Sequence, residues 1–235
     1  MRRVVLTGAD LQRQTLRLYG ELAARRESWA GQLVFACGAG ASATGLPAAV
    51  SIAGGTSLLL DADTAAVKSV FRQGGVDFVV NTLDEALRVL KNEIRKHRPL
   101  SVALEGAVRP ALEEMRDRGV LPDWQVLIGE PDDGSVQLGI EQLRLAHEGA
   151  AMVSSATLQA WLDDRGWSEV VLERTSTAEI RDLDAQLLAQ LPEGDTQRRT
   201  WVQRIGHYQR ILAGGVRVAW LTAAERAALQ SRAQI

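Results

Sequence analysis

The sequence predicts an α/β fold: a doubly wound, mostly parallel sheet followed by a mainly helical C-terminal extension. Two observations carry that expectation. From residue 33 to residue 129, short apolar runs alternate with stretches whose apolar residues recur every three or four positions, the pattern of buried strands joined by one-sided helices. The chain also has 235 residues, 46% of them apolar, enough for one large or two small domains with a substantial core.

An opening apolar run, Val4 to Leu6, leads into a helical pattern at Leu11, Thr15, Leu18 and Leu22. "LVFAC" at 33 to 37 reads as a strand, and Pro47 to Ala53 as a helix entered at proline and stopped by Gly54 and Gly55. "SLLLD" at 57 to 61 is the next strand, and "TAAVKSVFRQGG" a helix with a glycine stop. "DFVVN" at 77 to 81 precedes a helix face at Leu83, Leu87, Leu90 and Ile94. "LSVALEG" at 100 to 106 precedes a helix carrying Leu112 and Met115, and "WQVLIG" at 124 to 129 is a further strand.

Turn formers and acids concentrate in "EPDDGS" at 130 to 135, which sets the expected boundary between a domain over 1–135 and an extension over 136–235 packed on it. Residues 139 to 165 read as mostly helical, and "EVVLER" at 169 to 174 as a strand. A second break falls at 191 to 196. Trp201, Ile205, Tyr208 and Leu212 have helical spacing, "VRVAWL" at 216 to 221 reads as a strand, and Thr222 with Glu225 forms a capping box for a last helix.

A formal net charge of −2, from 27 basic and 29 acidic side chains, gives no electrostatic reason to expect nucleic acid or an anionic membrane as partner. A small-molecule ligand and protein surfaces remain. Cys37 is the one cysteine, so neither an intrachain disulfide nor a thiolate zinc site within one subunit can form. A reducing, cytoplasmic setting is expected, because the N-terminal apolar run is too short for a signal peptide and no run approaches a membrane span.

Gly38, Gly40 and Ala43 satisfy G-x-G-x-x-A between a predicted strand and a predicted helix, the context in which this fingerprint marks a Rossmann-like dinucleotide site. The first glycine allows the tight turn, the second lets backbone approach a pyrophosphate, and the third small residue lets helix and strand pack closely. Asp61 closes the following strand, where an acid binds ribose hydroxyls. An acid there favours NAD over NADP. A glycine-rich turn that binds nothing is the alternative.

Residues 31 to 123 resemble the central NAD-binding domain of urocanase (urocanate hydratase). The resemblance rests on "GQLVFACGAGASATGLP", "AAVSIAGG", "SLLLDAD", "NTLDEAL" and "SVALEGAVRPALEEMRDRGVLPD", in the family's order and spacing. Upstream, "VVLTGADLQRQTLRLYGELA" is similar to the segment leading into that domain, and "RRTWVQRIGHYQRILAGG" is loosely similar to the helix leading out of it. The resemblance implies tightly bound NAD used as an electrophile while water adds across a conjugated imidazole substrate. It implies cofactor contacts at Gly38, Gly40, Ala41, Ser42, Ala43, Thr44, Asp61 and Gly106.

There are departures. Ala41 and Thr44 stand where the family has loop glycines, Leu46 where it has glutamine, and Ala107 where it has asparagine. "LIGEPDD" at 127 to 133 replaces the family's "TDQTSAHD". The family's larger core domain has no counterpart in these residues. Either a partner or a second subunit completes the site, in a homo-oligomer or a mixed assembly, or the fold has become a non-catalytic binding or assembly subunit that has lost NAD. An ordinary dehydrogenase ranks last, for want of a Tyr-x-x-x-Lys pattern.

Among other candidates, Cys37 is a small buried apolar residue or, alternatively, a nucleophile activated at a helix N-terminus. Glu105 ends a strand at the cofactor crevice and is the one candidate acid or base. His97 sits in a basic cluster at a helix end, and His147 and His207 lie in stretches read as helical with no second ligand at i+4, so no metal is expected. Asp132 and Asp133 read as a solvated turn, and Trp201 as core or subunit interface.

Overall fold

A computed structural model describes residues 7–38, 44–128, 141–145, 147–148, 151–208 and 215–232. The opening run at 4 to 6, Gly40, Ala41, Ser42, Ala43, Asp132, Asp133 and Leu212 lie outside the described residues.

Six strands form one parallel sheet: β1 (Leu33–Cys37), β2 (Thr56–Asp61), β3 (Phe78–Val80), β4 (Leu100–Glu105), β5 (Trp124–Ile128) and β6 (Glu141–Leu145), in the order β3-β4-β2-β1-β5-β6. The helices between them are α2 (Leu46–Ile52), α3 (Thr64–Arg72), α4 (Leu83–Arg95) and α5 (Val108–Asp117). The chain winds outward from β1 to β3 and then turns back. Right-handed crossovers therefore put α2 and α3 on one face and α4 and α5 on the other.

Alternate side chains show both faces buried. Leu33, Phe35, Leu58, Leu60, Val102 and Leu104 pack against Leu87 and Leu90 of α4 and Leu112 and Met115 of α5. Val34, Ala36, Leu59, Ala103 and Val126 pack against Ala49 and Val50 of α2 and Val67 and Val70 of α3. Burial on both faces is why these strands read as continuous apolar runs rather than alternating ones.

The first helix, α1 (Gly8–Ala23), begins at Thr7, whose hydroxyl accepts from the Asp10 N–H at 3.2 Å. It joins the sheet to the C-terminal elements: α6 (Ala156–Asp164), β9 (Ser168–Glu173), α7 (Thr177–Gln190), α8 (Thr196–Tyr208), β10 (Val216–Leu221) and α9 (Ala223–Arg232). β9 and β10 pair antiparallel in a separate two-stranded sheet. Leu16, Leu18 and Leu22 of α1 share one apolar cluster with Leu158, Leu183, Trp201, Val218 and Trp220 as well as with the α2 face of the sheet. Tyr19 stacks between Trp201 and Trp220, at centroid distances of 5.8 and 6.2 Å. Buried Gln12 donates to the Val216 carbonyl at 2.9 Å and accepts from the Val218 N–H at 3.1 Å, tying α1 to β10 by its side chain.

Close approach of these elements depends on Gly20. A Cβ there would stand 2.6 Å from the Trp220 ring and 2.7 Å from Leu158 Cδ1. Gly20→Ala is expected to cost about 1–3 kcal/mol, the usual range for overpacking a filled core. In urea unfolding it should appear as a lower midpoint with an unchanged slope.

The helical expectation for 139 to 165 is corrected. Among the described residues within it, only Ala156–Asp164 is helical; β6 extends the sheet, and β7 (His147–Glu148) pairs antiparallel with β8 (Ala151–Met152). Leu143 and Leu145 are buried while Arg144 between them is exposed, an alternation that sheet pairing with β5 selects. His147 consequently lies on a strand and not on a helix. Thr222 and Glu225 form the expected capping box, with Thr222 N–H donating to the Glu225 carboxylate at 2.8 Å and Glu225 N–H to the Thr222 hydroxyl at 3.3 Å. No helix among the described residues is long and apolar enough to cross a membrane.

Candidate functional site

The connections of the sheet leave β1 toward β2 on one side, while β5 lies on its other side. That reversal opens a crevice at the C-terminal ends of the strands, where ligands of doubly wound sheets bind. Gly38 follows β1 with φ +86°, and its N–H donates to the Leu60 carbonyl at 2.8 Å. A Cβ built on it meets nothing within 4 Å. The backbone angle therefore requires glycine, and no atom of the described residues crowds it.

After the loop, Thr44 and Leu46 are buried, at 5% and 1% exposure. Gly45 caps α2 without a side-chain hydrogen bond, and a Cβ on it would lie 2.5 Å from the Thr15 hydroxyl, so the start of α2 is pressed onto α1. Leu46 belongs to the apolar cluster of that face.

Asp61 ends β2, and its Oδ1 accepts the Asp63 N–H at 2.7 Å. Asp63 caps α3, accepting from the N–H groups of Ala65 at 2.8 Å and Ala66 at 3.2 Å. Glu105 ends β4 as the register partner of Asp61. It is exposed, and its Oε1 accepts from the Thr64 hydroxyl. The preceding residues Leu60 and Leu104 enter the α4–α5 layer, so both carboxylates point to the α2–α3 side. Gly106 N–H donates to the Asp61 carbonyl at 3.0 Å, and a Cβ on Gly106 would meet only Leu60 Cδ1, at 4.0 Å. Ala107 begins α5 with no side-chain cap.

Gly38, Asp61, Glu105 and Gly106 thus share one edge of the sheet, with Thr44 buried at the start of α2. Two residues that sequence reasoning missed, Asp63 and Thr64, organise the acidic rim. "DADT" ahead of an apolar-periodic run carries the usual helix-start signal.

Of the two readings of Cys37, the structure favours the small apolar residue, which packs against the α4–α5 cluster. Burial pushes its thiol up to about 11, against the opposing effect of the Gln125 amide, which donates to Sγ at 3.9 Å. At pH 8 disulfide reagents are expected to react one to two orders of magnitude more slowly with the folded protein than with the unfolded chain, because the thiolate is the reacting form. A thiol titration with and without denaturant checks this.

Other candidates lie elsewhere. His97 is exposed at the end of α4 with φ 54°, and His207 of α8 meets the Tyr208 ring at 5.0 Å. Trp201 is buried in the core and donates its indole N–H to the Val218 carbonyl at 2.8 Å. Among the described residues, no group of His, Cys, Asp and Glu is placed to hold a metal.

Two open clefts, of 480 and 390 Å³, lie at the opposite, N-terminal edge of the sheet and share Asp123. The Asp123 carboxylate accepts the Leu33 N–H at 2.7 Å, fixing the start of β1. Neither cleft contains a residue of the glycine and acid constellation. Strand C-termini, not these polar surface clefts, are where this topology collects backbone groups for a ligand.

The family model of the urocanase Rossmann-like domain matches residues 13–126. The match starts inside α1 and ends inside β5, so it contains Gly38, Thr44, Asp61, Glu105 and Gly106 and stops before β6 and the C-terminal elements. That domain is associated with NAD binding. Over residues 13–126, just under half of its length, this chain is similar to the urocanase Rossmann-like domain.

Proposed function

We propose that the chain binds NAD at the C-terminal edge of its six-stranded sheet and takes part in a urocanase-like lyase or hydratase reaction. The substrate would be an imidazole-type or otherwise conjugated small molecule, and a partner protein or a second subunit would complete the site. The observation that supports this best is Asp61, an acid ending β2 beside the positive-φ Gly38, inside a urocanase-type domain.

These residues fit a dinucleotide. Gly38 follows β1 with the positive φ of a tight turn, and the glycine fingerprint assigns the pyrophosphate to the loop sequence Gly40, Ala41, Ser42 and Ala43. Asp61 would accept hydrogen bonds from the ribose hydroxyls. Gly106, with no side chain, leaves room beside that ribose. Bound NAD supplies an electron-poor nicotinamide ring that can draw electrons from a conjugated substrate. If Asp61 holds the adenosine ribose at the end of β2, Glu105, its register partner on β4, would stand on the adenosine side, and proton-transfer groups would come from elsewhere in the assembly.

A second reading is a non-catalytic binding or assembly subunit that has lost NAD. Ala107 favours it, because α5 opens on the crevice edge with no polar side chain at its cap. Leu46, by contrast, packs in the core and bears on neither reading.

Calorimetric titration with NAD separates the two while absorbance follows the nicotinamide. Saturable binding without reduction of the ring is expected. An absence of binding would favour the second reading, and NADH accumulating with a hydroxylated substrate would make the chain a dehydrogenase.

A further inference from the structure

We propose that Glu105 makes the adenosine subsite selective for an unphosphorylated dinucleotide, by adding a second fixed negative charge beside Asp61 that repels a ribose 2′-phosphate. The inference rests on the NAD-binding reading above and deepens it.

Asp61 and Glu105 are register partners on adjacent parallel strands, so their backbones stand about 4.8 Å apart and their side chains leave the same face. Two like charges so placed oppose each other unless something offsets them. The offset comes from the start of α3. Thr64 donates its hydroxyl to Glu105, and the Asp63 N–H, at 2.7 Å, serves Asp61. Thr64 therefore ties the Glu105 carboxylate toward β2 instead of leaving it to extend from β4 into solvent.

One carboxylate is enough to hold a ribose diol. The second adds repulsion against any anion entering the same space, and a phosphate monoester carries about −1.5 to −2 charges at pH 7. Selectivity of this kind comes from a repulsive element as much as from an attractive one. Because Glu105 is exposed, solvent and salt weaken its effect, so it should be modest and sensitive to ionic strength.

The test titrates the full chain with NAD and with NADP, in wild type, in Glu105→Gln and in Glu113→Gln, at low and high salt. Glutamine keeps the oxygen that accepts from Thr64 and removes only the charge. The ratio of the NADP to the NAD dissociation constant is expected to fall about 3- to 10-fold in E105Q at low salt and to narrow in wild type as salt is added. Glu113, exposed on α5, controls for net charge, and E113Q should keep the wild-type ratio. A wild type that binds NAD but shows the same ratio as E105Q, or one that binds both dinucleotides equally, overturns this inference and leaves the cofactor reading intact. A protein that binds neither overturns both.

Discussion

Asp61→Ala is expected to weaken NAD binding by about 1.5–3 kcal/mol, roughly 10- to 150-fold, with little change in stability. The loss is that of charge-assisted hydrogen bonds to ribose hydroxyls, which are stronger than neutral ones. Asp61 also accepts the Asp63 N–H at 2.7 Å. That bond is exposed, so water can replace it in the variant and the fold should hold. Asp61→Asn retains one acceptor oxygen and should lose less affinity than alanine. Calorimetry on both variants, with circular dichroism as the control for folding, gives the comparison. Wild-type affinity in Asp61→Ala would remove Asp61 from the site.

Glu21→Ala is expected to be the most destabilising of these substitutions, by about 3 kcal/mol, in line with removing one partner of a buried charged network. Glu21 on α1 is fully buried. Its carboxylate accepts from the Ser155 N–H at 2.7 Å, the Ser155 hydroxyl at 2.6 Å and the Arg25 guanidinium at 2.6 Å. Ser155 in turn caps α6 by accepting from the Leu158 N–H at 3.1 Å. One carboxylate thus fixes α1 to the start of α6 across 134 residues of sequence. Alanine would leave the Ser155 N–H unpaired and open a polar void. Glutamine keeps an acceptor and should recover part of the loss. Urea unfolding of the three proteins measures it, and a cost under about 1 kcal/mol for alanine would show that water satisfies Ser155 instead.

Much of the sheet was legible because its strands are buried on both faces. Leu33–Cys37 falls where the apolar run puts it, and Thr56–Asp61, Leu100–Glu105 and Trp124–Ile128 fall within a residue of their runs. Glycine stops and the proline at the start of α2 mark the helices between them. The stretch from 139 to 165 misled because 141–145 is too short a run to fix a period alone, and its strand character comes from pairing with β5. For α7, Ser176 with Glu179 is a readable start signal, and the Ser176 hydroxyl does accept the Glu179 N–H at 3.2 Å.

The candidate site divides in the same way. Gly38 and Asp61 were legible because strand, turn and terminal acid follow from local geometry. What surrounds them was not. Thr64 and Glu105 meet across 41 residues, and Gln125 approaches Cys37 across 88. Local reasoning at Cys37 considers a helix N-terminus that would lower its pKa, whereas the burial that raises it comes from the packed sheet.

The most direct test of the central claim is to denature freshly purified protein and identify the small molecules it releases by mass spectrometry, then to titrate NAD into any protein found empty. The urocanase-type reading expects NAD released in an amount equimolar with the chain, or saturable equimolar binding when it is added back. A protein that releases no dinucleotide and binds no added NAD would contradict it, and would leave Gly38 and its loop as a structural turn.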